Sequence, residues 1–418
     1  MSLWLTTFFI AAVTEMKTVT VIGGGASGIM AALTAAEDKN NSVLLLERQA
    51  RIGRKLLSTG NGRCNLTNTG ASASDYHGAD AKFTAAALSR FGVSDALDFF
   101  AELGLLTVTE YGGRVYPLSN SANSVLDVMR FALDARGVDT RCSCTVTAIE
   151  RNGPRFTLKT EGGDIQSDCV IVACGGRAGE KLGGTGLGYE LLAPLGHRRT
   201  ALHPALVQLT TDPTYPRALK GVRAQAALRL CSGDDTAACS KGELQFTETG
   251  LSGPAAFDIS RAAALCGKGA VVHINFLDGY TRSELSEMLK KRITQMGDHE
   301  ASEILTGMLH NRLGKMLVKY SGIGGGRSIR ELTPRDVSAL VNACLDMRIT
   351  LHGVGDFAAA QVTAGGIRCS EIDPATMESR LVPNLYVCGE LLDVDGNCGG
   401  YNLQWAWTSG RIAGRLGK

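Results

Sequence analysis

Residues 18–47, TVTVIGGGASGIMAALTAAEDKNNSVLLLE, decide the fold of this chain. A β-branched run ends at Ile22, an apolar segment with helical spacing follows a glycine turn, and a second apolar run ends at Glu47. Gly23, Gly25 and Gly28 have the spacing G-x-G-x-x-G. In a complete βαβ unit of about 30 residues that ends in an acidic side chain, this spacing indicates a dinucleotide-binding fold.

Each glycine has a physical task in such a unit. The first permits a tight turn, the second lets the backbone approach a pyrophosphate, and the third lets the helix pack closely on the strands. Ala26 and Ser27 open the helix, where free N–H groups and the positive end of the helix dipole favour phosphate. Glu47 can accept hydrogen bonds from ribose hydroxyl groups, and its charge would repel a 2′-phosphate.

The other end of the chain indicates which dinucleotide is bound. Residues 381–414, LVPNLYVCGELLDVDGNCGGYNLQWAWTSGRIAG, predict a strand up to Cys388, a loop, and a helix that begins near Asn402. Such a return to an N-terminal dinucleotide fold is typical of two-part FAD domains. The helix N-terminus can point its dipole at the flavin ring, so non-covalent FAD is predicted. The expected cofactor contacts in this segment are Gly389, Glu390, Asp395, Gly399, Gly400, Tyr401 and Asn402.

Two tryptophans in the same segment have alternative interpretations. Trp405 and Trp407 could pack in the core or stack on the flavin, and core packing is favoured. The small residues Ala406, Ser409 and Gly410 would let this helix sit close.

A cationic loop, RIGRKLLSTGNGRCNLTN at residues 51–68, predicts further contacts. With Arg48 it carries five positive charges, and no acidic residue follows until Asp75. A solvated surface would mix charge signs, so we expect the loop at the carboxyl edge of the sheet, against the FAD pyrophosphate and flavin. Charges that FAD leaves unused could meet a phosphate of NAD(P)H or RNA. The predicted contacts are Arg48, Arg54, Lys55, Gly62, Arg63 and Cys64, together with Cys174, Gly175 and Gly176 from the strand and glycine turn at 168–179.

The chain is predicted to be an α/β protein whose Rossmann-like FAD domain is split by an insertion. The FAD domain covers residues 16–195 and 353–418 in this prediction. Alternating β patterns predict a β-barrel-like insert at 196–275 and 336–352. A helical period with both charge signs predicts a small helical subdomain at 276–335.

Composition excludes several other classes of protein. The 12 cysteines include no C-x-x-C, which argues against a zinc site, an iron–sulfur cluster and a dithiol centre. No metal is therefore predicted, and free thiols fit a cytoplasmic protein. The apolar stretch from Leu3 to Val13 is too short to span a bilayer, so no stable membrane association is expected. Met16 is expected to open the domain, and the oligomeric state is left open.

Six motifs resemble those of a known family. They are VIGGGASG, GRKLLSTGNGRCNLTN, GRVYPLSNSANSV, FTETGLSGPA, VTAGGI and MESRLVPNLYVCGELLDVDGNCGGYNLQWAWTSG. Over residues 16–418 the chain resembles three-domain bacterial FAD-binding oxidoreductases of the aminoacetone-oxidase-like group, which include bile-acid reductase-like and ribosomal RNA dihydrouridine synthase-like members. The resemblance implies a discontinuous FAD domain, a β-barrel-like insert with its own helical insert, and reduction of activated C=C bonds.

Two positions depart from the pattern of that family. Glu248 stands where relatives usually have His in F-T-H-x-G-x-S-G-P, and Leu187 stands where many have the Asp of S-T-G-D-G. A catalytic role of that His would be in doubt in this chain, and a structural position is favoured. His197 and His203, near the insert boundary, are also expected to be structural.

Reduction of a C=C bond needs a hydride from flavin N5 and a proton. Cys64, Cys398 and Tyr401 are the candidate proton donors, and the cations near Cys64 are expected to lower its pKa. Asp393 and Asp395 are expected to fix the loop and the ribityl hydroxyl groups instead of acting as bases.

The hypothesis is therefore an FAD-dependent oxidoreductase with NAD(P)H as a transient donor, since one dinucleotide fold is present. Its substrate would be a small molecule such as a bile-acid enone, or a uracil ring in ribosomal RNA. The alternatives are an oxidase of small amines or ketones and an FAD-holding RNA-binding protein without turnover. Residues 276–335 carry ten basic and seven acidic side chains, so a solvated helix surface is favoured over an RNA-binding face.

Overall fold

The computed structural model describes residues 16–78 and 81–418. Residues 1–15, which contain the predicted apolar extension, lie outside this range. Within the described residues, no helix combines the length and the apolar character that crossing a membrane requires.

Strands and helices alternate along the first part of the chain and again at its end. The strands are β1 Lys17–Ile22, β2 Asn41–Leu46, β3 Thr67–Asn68, β4 Tyr76–Gly78, β5 Thr107–Thr109, β6 Arg114–Pro117, β7 Asp139–Arg141, β8 Val146–Asn152, β9 Arg155–Thr160, β10 Ile165–Ser167, β11 Cys169–Val172, β12 His203–Ala205, β13 Leu209–Thr211, β14 Arg223–Ser232, β15 Asp235–Phe246, β16 Gly250–Ser252, β17 Val271–Asn275, β18 Met347–Val354, β19 Val362–Ala364, β20 Leu385–Val387 and β21 Val394–Gly396. The α-helices are α1 Ala26–Ala35, α2 Arg54–Ser58, α3 Ala81–Leu88, α4 Val93–Glu102, α5 Ala122–Ala135, α6 Leu187–Leu192, α7 Pro254–Cys266, α8 Arg282–Gln295, α9 Asn311–Tyr320, α10 Pro334–Leu345 and α11 Tyr401–Gly414.

Five parallel strands form the central sheet in the order β20-β11-β1-β2-β7. β1 pairs with β2 on one side and with β11 on the other, and the C-terminal strand β20 adds to β11. Parallel sheets are covered on both faces, which explains the continuous apolar runs in these strands. Val19, Val21, Leu45 and Ile171 are completely buried. The predicted Rossmann-like sheet, built from both ends of the chain, is confirmed.

Three smaller antiparallel sheets extend the FAD domain. β8, β9 and β10 form the meander that leads into β11, and β3, β6 and β5 form a second sheet. β4 pairs with β21, which ties the loop before α11 to the N-terminal half of the chain.

Six strands form a closed barrel in the order β13-β16-β15-β14-β17-β18, which confirms the barrel-like insert. Its core is separate from that of the central sheet. Helix α7 packs on β14 and β15 through Ala255, Ile259 and Ala263, which recur at helical spacing and are completely buried. Asp258 and Arg261 on the same helix are half-buried.

Helices α8, α9 and α10 form a helical unit between β17 and β18. Capping boxes at Thr281 with Glu284 and at Thr333 with Asp336 begin α8 and α10. Because α10 contacts both α8 and α9, we propose that the helical subdomain extends to residue 345. The other predicted domain boundaries stay predictions.

Helices α1 and α11 lie in close contact and join the two parts of the FAD domain. A Cβ atom on Gly410 would stand 2.4 Å from the carbonyl oxygen of Ser27, and one on Gly414 would stand 2.5 Å from that of Ala31. Gly410, one of the small residues named from the sequence, and Gly414 therefore let α11 pack closely on α1.

Both tryptophans of α11 belong to the core, as predicted. Trp405 and Trp407 are buried, and their indole N–H groups donate to the carbonyl oxygens of Gly389, at 3.1 Å, and Leu66, at 2.9 Å. Trp407 also lies edge-on to Phe100, with ring centroids 5.1 Å apart.

Candidate active site

The turn between β1 and α1 has the geometry that its glycine spacing predicts. Gly23 has a φ of +110°, and a Cβ atom there would lie 2.5 Å from the carbonyl oxygen of Ala173. At Gly28 a Cβ would lie 1.8 Å from the carbonyl oxygen of Gly23, so α1 packs directly on the turn. At Gly25, by contrast, a Cβ would meet no heavy atom within 4 Å. The space beside Gly25, Ala26 and the first turn of α1 is therefore open to a ligand.

Glu47 follows β2 and lies beside this turn. Its Oε2 accepts the N–H of Gly24 at 2.8 Å, and its Oε1 accepts the N–H of Gln49 at 2.7 Å. Each carboxylate oxygen keeps a second lone pair. A ribose hydroxyl group could therefore donate to a carboxylate that the backbone already holds in place.

The glycine turn after β11 shows a second open position. Gly175 has a φ of +69°, and a Cβ there would meet no heavy atom within 4 Å. At Gly176 there is no such space, because a Cβ there would lie 2.4 Å from Thr363 Oγ1. The Cys174 thiol lies 3.5 Å from the carbonyl oxygen of Ile22, and burial raises its pKa to about 12. This segment can offer a ligand its backbone but no thiolate.

Lys55 and Glu390, two predicted cofactor contacts, form an ion pair with Nζ and Oε2 2.6 Å apart. Lys55 also donates to the carbonyl oxygen of Ala178 at 3.2 Å, and Glu390 Oε1 accepts the N–H of Thr363 at 2.9 Å. Both side chains are mostly shielded from solvent. The pair thus ties the cationic loop to the ends of β11 and β20, where the cofactor is expected.

Replacing this lysine by methionine is expected to destabilise the fold. Lys55→Met leaves the shielded carboxylate of Glu390 without its cation, and we expect a loss of about 1–2 kcal/mol in the free energy of unfolding. Urea unfolding measures the effect. The matched control is Lys220→Met, which removes an exposed pair with Glu248 and is expected to leave stability unchanged. Equal effects of the two changes would contradict a structural role for the Lys55 pair.

The guanidinium group of Arg63 already has partners within the protein. It pairs with Glu110, donates to Asn120 Oδ1, and lies over the ring of Tyr116 at 3.9 Å from the centroid. The neighbouring Gly62 has a φ of +84° and open space at its Cβ position. Contact of Gly62 or Arg63 with the cofactor stays a prediction.

Arg48 and Arg54, the other two arginines among the predicted cofactor contacts, also have protein acceptors. Arg48 donates to the carbonyl oxygen of Gly183 at 3.4 Å. Arg54 donates to Gln49 Oε1 and to the carbonyl oxygen of Lys181, the latter at 3.1 Å. Both arginines lie at the same edge of the sheet. Their contact with phosphate stays a prediction.

The start of α11 is built tightly around two glycines. Gly399 and Gly400 both have positive φ, and a Cβ on Gly400 would lie 2.5 Å from the carbonyl oxygen of Thr67. The Asn402 side chain accepts the N–H of Gly396 at 2.9 Å and donates to its carbonyl oxygen at 2.8 Å. The helix N-terminus is thereby fixed against β3.

Asn65 provides an unpaired polar atom at this place. The residue is 8% exposed, and within the described part of the chain its Oδ1 has no hydrogen-bond donor. Oδ1 lies 3.0 Å from the Cβ position of Gly400. An unpaired buried acceptor costs roughly 1–3 kcal/mol, which an N–H group of a bound ring would recover.

Two polar contacts join α7 of the barrel to the loop before α11. Asp395 is buried and pairs with Arg261, whose Nε lies 3.1 Å from the carboxylate. The N–H of Cys398 donates to Asp258 Oδ1 at 2.7 Å. Asp395 therefore fixes the loop, as expected, and its contact with the ribityl chain stays a prediction.

The predicted low pKa of Cys64 is wrong. The side chain is completely buried, and desolvation raises the pKa of its thiol to about 12. A hydrogen bond with Thr59 lowers this pKa, but by less than burial raises it. Burial also raises the pKa of Cys398, to about 12, and the pKa of Tyr401, which nearby Asp75 raises further. All three groups are protonated near neutral pH, and their role as proton donors stays a prediction.

The remaining singled-out residues lie away from this turn. His203 lies in β12, and Leu187 begins α6 next to an open cavity of about 490 Å³. Glu248 is exposed and pairs with Lys220 at 2.7 Å, so the position where relatives have His lies at the barrel surface. His197 is buried between Glu371 Oε2, at 3.0 Å, and Ser379 Oγ, at 2.9 Å, in a structural position.

His197 is expected to make stability depend on pH. Burial lowers its pKa in the folded chain below the unfolded value of about 6.5. At pH values between the folded and the unfolded pKa, the unfolded chain therefore binds more protons than the folded chain. The free energy of unfolding falls as the pH decreases below about 6.5. Urea unfolding at several pH values measures the slope. His197→Gln should flatten it, and an unchanged slope in that variant would contradict the assignment.

Sequence reasoning missed Asn65, Arg114, Asp258 and Arg261. Asn65 lies inside the cationic motif but carries no charge, so the charge pattern gave no indication of it. Asp258 and Arg261 are spaced three apart in the otherwise apolar helix segment PAAFDISRAAALC, which was a usable signal for a polar contact. Arg114, at the start of β6, lies in the motif GRVYPLSNSANSV, but nothing in that motif indicated a role for its charge.

The donor set and open positions fit FAD. The turns at Gly25 and Gly175 leave room for a diphosphate, and Glu47 can accept from a ribose. The unpaired Asn65 Oδ1 can accept a ring N–H at the N-terminus of α11, where the helix dipole favours negative charge on the flavin.

Comparison with known proteins agrees with this assignment. The family model described as HI0933-like protein Rossmann domain matches residues 17–416. The chain is 40% identical, over 96% of its length and 98% of the relative's, to a protein of Clostridium scindens named 3-dehydro-bile acid delta(4,6)-reductase. It is 30% identical, over 93% and 95%, to the Escherichia coli protein named ribosomal RNA dihydrouridine synthase. A solved 3-ketosteroid delta1-dehydrogenase from Sterolibacterium denitrificans shares the fold, with a TM-score of 0.51 and 14% identity over 96% of this chain and 99% of that one.

Proposed function

The chain belongs to the HI0933-like Rossmann-domain family of FAD-dependent oxidoreductases, and from this premise we propose that it reduces a C=C bond conjugated with a carbonyl group. Bound FAD would supply the hydride, from N5 of its reduced form. NAD(P)H is the proposed donor, and it would dock transiently because the described residues contain one Rossmann unit.

The names of the relatives support one reaction class. A 3-dehydro bile acid with double bonds at positions 4 and 6 has these bonds conjugated with the 3-oxo group. In uridine, the double bond that dihydrouridine lacks is conjugated with the O4 carbonyl group. Both names therefore describe the reduction of a C=C bond that is conjugated with a carbonyl group, although the two molecules differ in size and charge.

The observation that carries the proposal is the turn before α11. Asn65 Oδ1 and the helix N-terminus would hold the ring edge of FAD there, while Gly25 and Glu47 would hold its diphosphate and ribose. In this proposal the flavin would lie between the Rossmann domain and α7 of the barrel. A flat conjugated substrate can then reach the flavin from the junction of the two domains.

We propose a small apolar enone of the bile-acid class as the substrate, with RNA as the second candidate. The preference follows the relative that is 40% identical, and some cations of the helical subdomain are hydrogen-bonded within the protein. Arg292 donates to the carbonyl oxygens of Ile304 and Thr306, and Arg312 donates to those of Ala218 and Lys220. The RNA candidate rests on the relatives that are 30% identical.

Anaerobic turnover tests the proposal. The FAD-reconstituted protein is mixed with NADH or NADPH and with a 3-dehydro-Δ4,6 bile acid or ribosomal RNA that lacks dihydrouridine, and the products are identified by mass. We expect nicotinamide oxidation that depends on the bile acid and a product heavier by two hydrogens. Turnover with RNA alone would select the second candidate, and rapid turnover with oxygen alone would make the protein an oxidase.

A further inference from the structure

The turn at residues 398–400, which begins α11, has a charged side chain on each side. The carboxylate of Asp258, from α7 of the barrel, accepts the N–H of Cys398 at 2.7 Å. Arg114, from β6, has its Nε 3.3 Å from the Cβ position of Gly399. The two groups come from different domains and meet beside the position assigned to the flavin ring.

Among the described residues, Arg114 differs from the nearby Arg63 and Arg261 in having no partner. Arg63 pairs with Glu110, and Arg261 pairs with Asp395. In the part of the chain that the structure describes, no ion pair or side-chain hydrogen bond involves the guanidinium group of Arg114, although the residue is half-buried. Half-buried guanidinium groups normally find an acceptor, so this one is available for an oxygen atom of a ligand.

Asp258 is half-buried and, within residues 16–78 and 81–418, accepts one hydrogen bond, from the Cys398 N–H. Burial raises the pKa of its carboxyl group, while Cys398, Arg114 and His77 lower it by smaller amounts. The phenol of Tyr401 faces the same space, and Arg261, one turn further along α7, is neutralised by Asp395. The net effect raises the pKa of Asp258, so this side chain keeps its proton to a higher pH than an exposed aspartate does.

Resting on the proposed function, we propose that Arg114 and Asp258 form the substrate side of the active site. Arg114 binds the carbonyl oxygen of the enone, and Asp258 delivers the proton. This assigns the two roles to residues other than Cys64, Cys398 and Tyr401.

The reaction balances with these two groups. Hydride from the reduced cofactor forms the new C–H bond at the β-carbon, and the π electrons move to the carbonyl oxygen as an enolate. Arg114 stabilises the negative charge on that oxygen. When the carbonyl group re-forms, the α-carbon takes the proton of Asp258, and water then reprotonates the carboxylate. The substrate gains two electrons, and the flavin loses two.

Arg114→Gln and Asp258→Asn test the pair against the matched surface controls Arg130→Gln and Asp127→Asn, whose side chains pair with each other on α5. Each holoprotein is reduced anaerobically and reoxidised with a 3-dehydro-Δ4,6 bile acid. We expect reoxidation to slow by about 10²-fold or more in Arg114→Gln and by about 10²–10⁴-fold in Asp258→Asn, with FAD content unchanged. Asparagine still accepts the Cys398 N–H, so the turn is preserved.

Two further readouts separate chemistry from structure. In the wild type, reoxidation should slow as the pH rises through the pKa of Asp258, and Asp258→Asn should lose this dependence. 4-Nitrophenol, whose phenolate resembles the enolate, should perturb the oxidised flavin spectrum in the wild type and in Asp258→Asn, but not in Arg114→Gln.

The outcomes distinguish the inference from the proposed function. Variants that reoxidise as fast as the wild type would overturn the inference, and loss of FAD from Arg114→Gln would assign Arg114 to the cofactor and overturn it too. A wild type that no unsaturated substrate reoxidises would overturn the proposed function. In that case binding of 4-nitrophenolate tests Arg114 and Asp258. Loss of this binding in Arg114→Gln would support the proposed site, and unchanged binding in Arg114→Gln would overturn the inference.

Discussion

Gly25→Val is expected to fold like the wild type and to lose most of its FAD. The backbone at Gly25 has a negative φ of −84°, and a Cβ atom would meet no protein atom within 4 Å. The valine side chain would instead occupy the space assigned to the diphosphate. Several N–H contacts of about 1.5–3 kcal/mol each would be disturbed, so the Kd for FAD should rise at least about 100-fold. Flavin fluorescence titration measures Kd, and thermal unfolding of the apoprotein measures stability.

Two other glycines serve as controls for this prediction. Gly326→Val changes a loop glycine that also has open space, and it should affect neither FAD affinity nor stability. Gly28→Val places a side chain against the carbonyl oxygen of Gly23 and should prevent folding. Wild-type FAD affinity in Gly25→Val would show that the diphosphate lies elsewhere.

Trp407→Ala is expected to remove about 3–5 kcal/mol from the free energy of unfolding. The ring is completely buried against Phe100, and its indole N–H is bonded to the Leu66 carbonyl oxygen. The change therefore leaves a cavity and an unpaired acceptor. Urea unfolding measures the loss, with the exposed Phe131→Ala as the control. Unchanged stability together with a shifted flavin spectrum would make Trp407 a stacking partner of the flavin instead.

The parts of the site that sequence reasoning predicted are those set by local backbone geometry. The turn at Gly23, Gly25 and Gly28 needs particular φ values and close contacts within one βαβ unit, so its spacing alone indicates its conformation. The helix start after Gly399 and Gly400 was predictable for the same reason.

The parts that were missed or wrong depend on contacts between distant segments. Arg63 stands in a run without acidic residues, yet it pairs with Glu110, which lies 47 residues away. Cys64 is next to these cations in sequence, but its side chain turns into the core, where desolvation decides its pKa. Asp258 reaches the turn before α11 only because the barrel docks α7 against the FAD domain. The spacing of Asp258 and Arg261 in α7 indicates a polar contact, but no periodicity or spacing in a single sequence identifies the partners of these residues.

A single turnover without oxygen tests the central claim most directly. Protein that carries reduced FAD is mixed with one equivalent of a 3-dehydro-Δ4,6 bile acid, and the absorption of oxidised flavin is followed together with the product mass. The account predicts that oxidised flavin returns completely and that one C=C bond is reduced for each flavin oxidised. The account would be contradicted if the flavin stayed reduced with this bile acid and with ribosomal RNA that lacks dihydrouridine, and reoxidised only when oxygen was admitted.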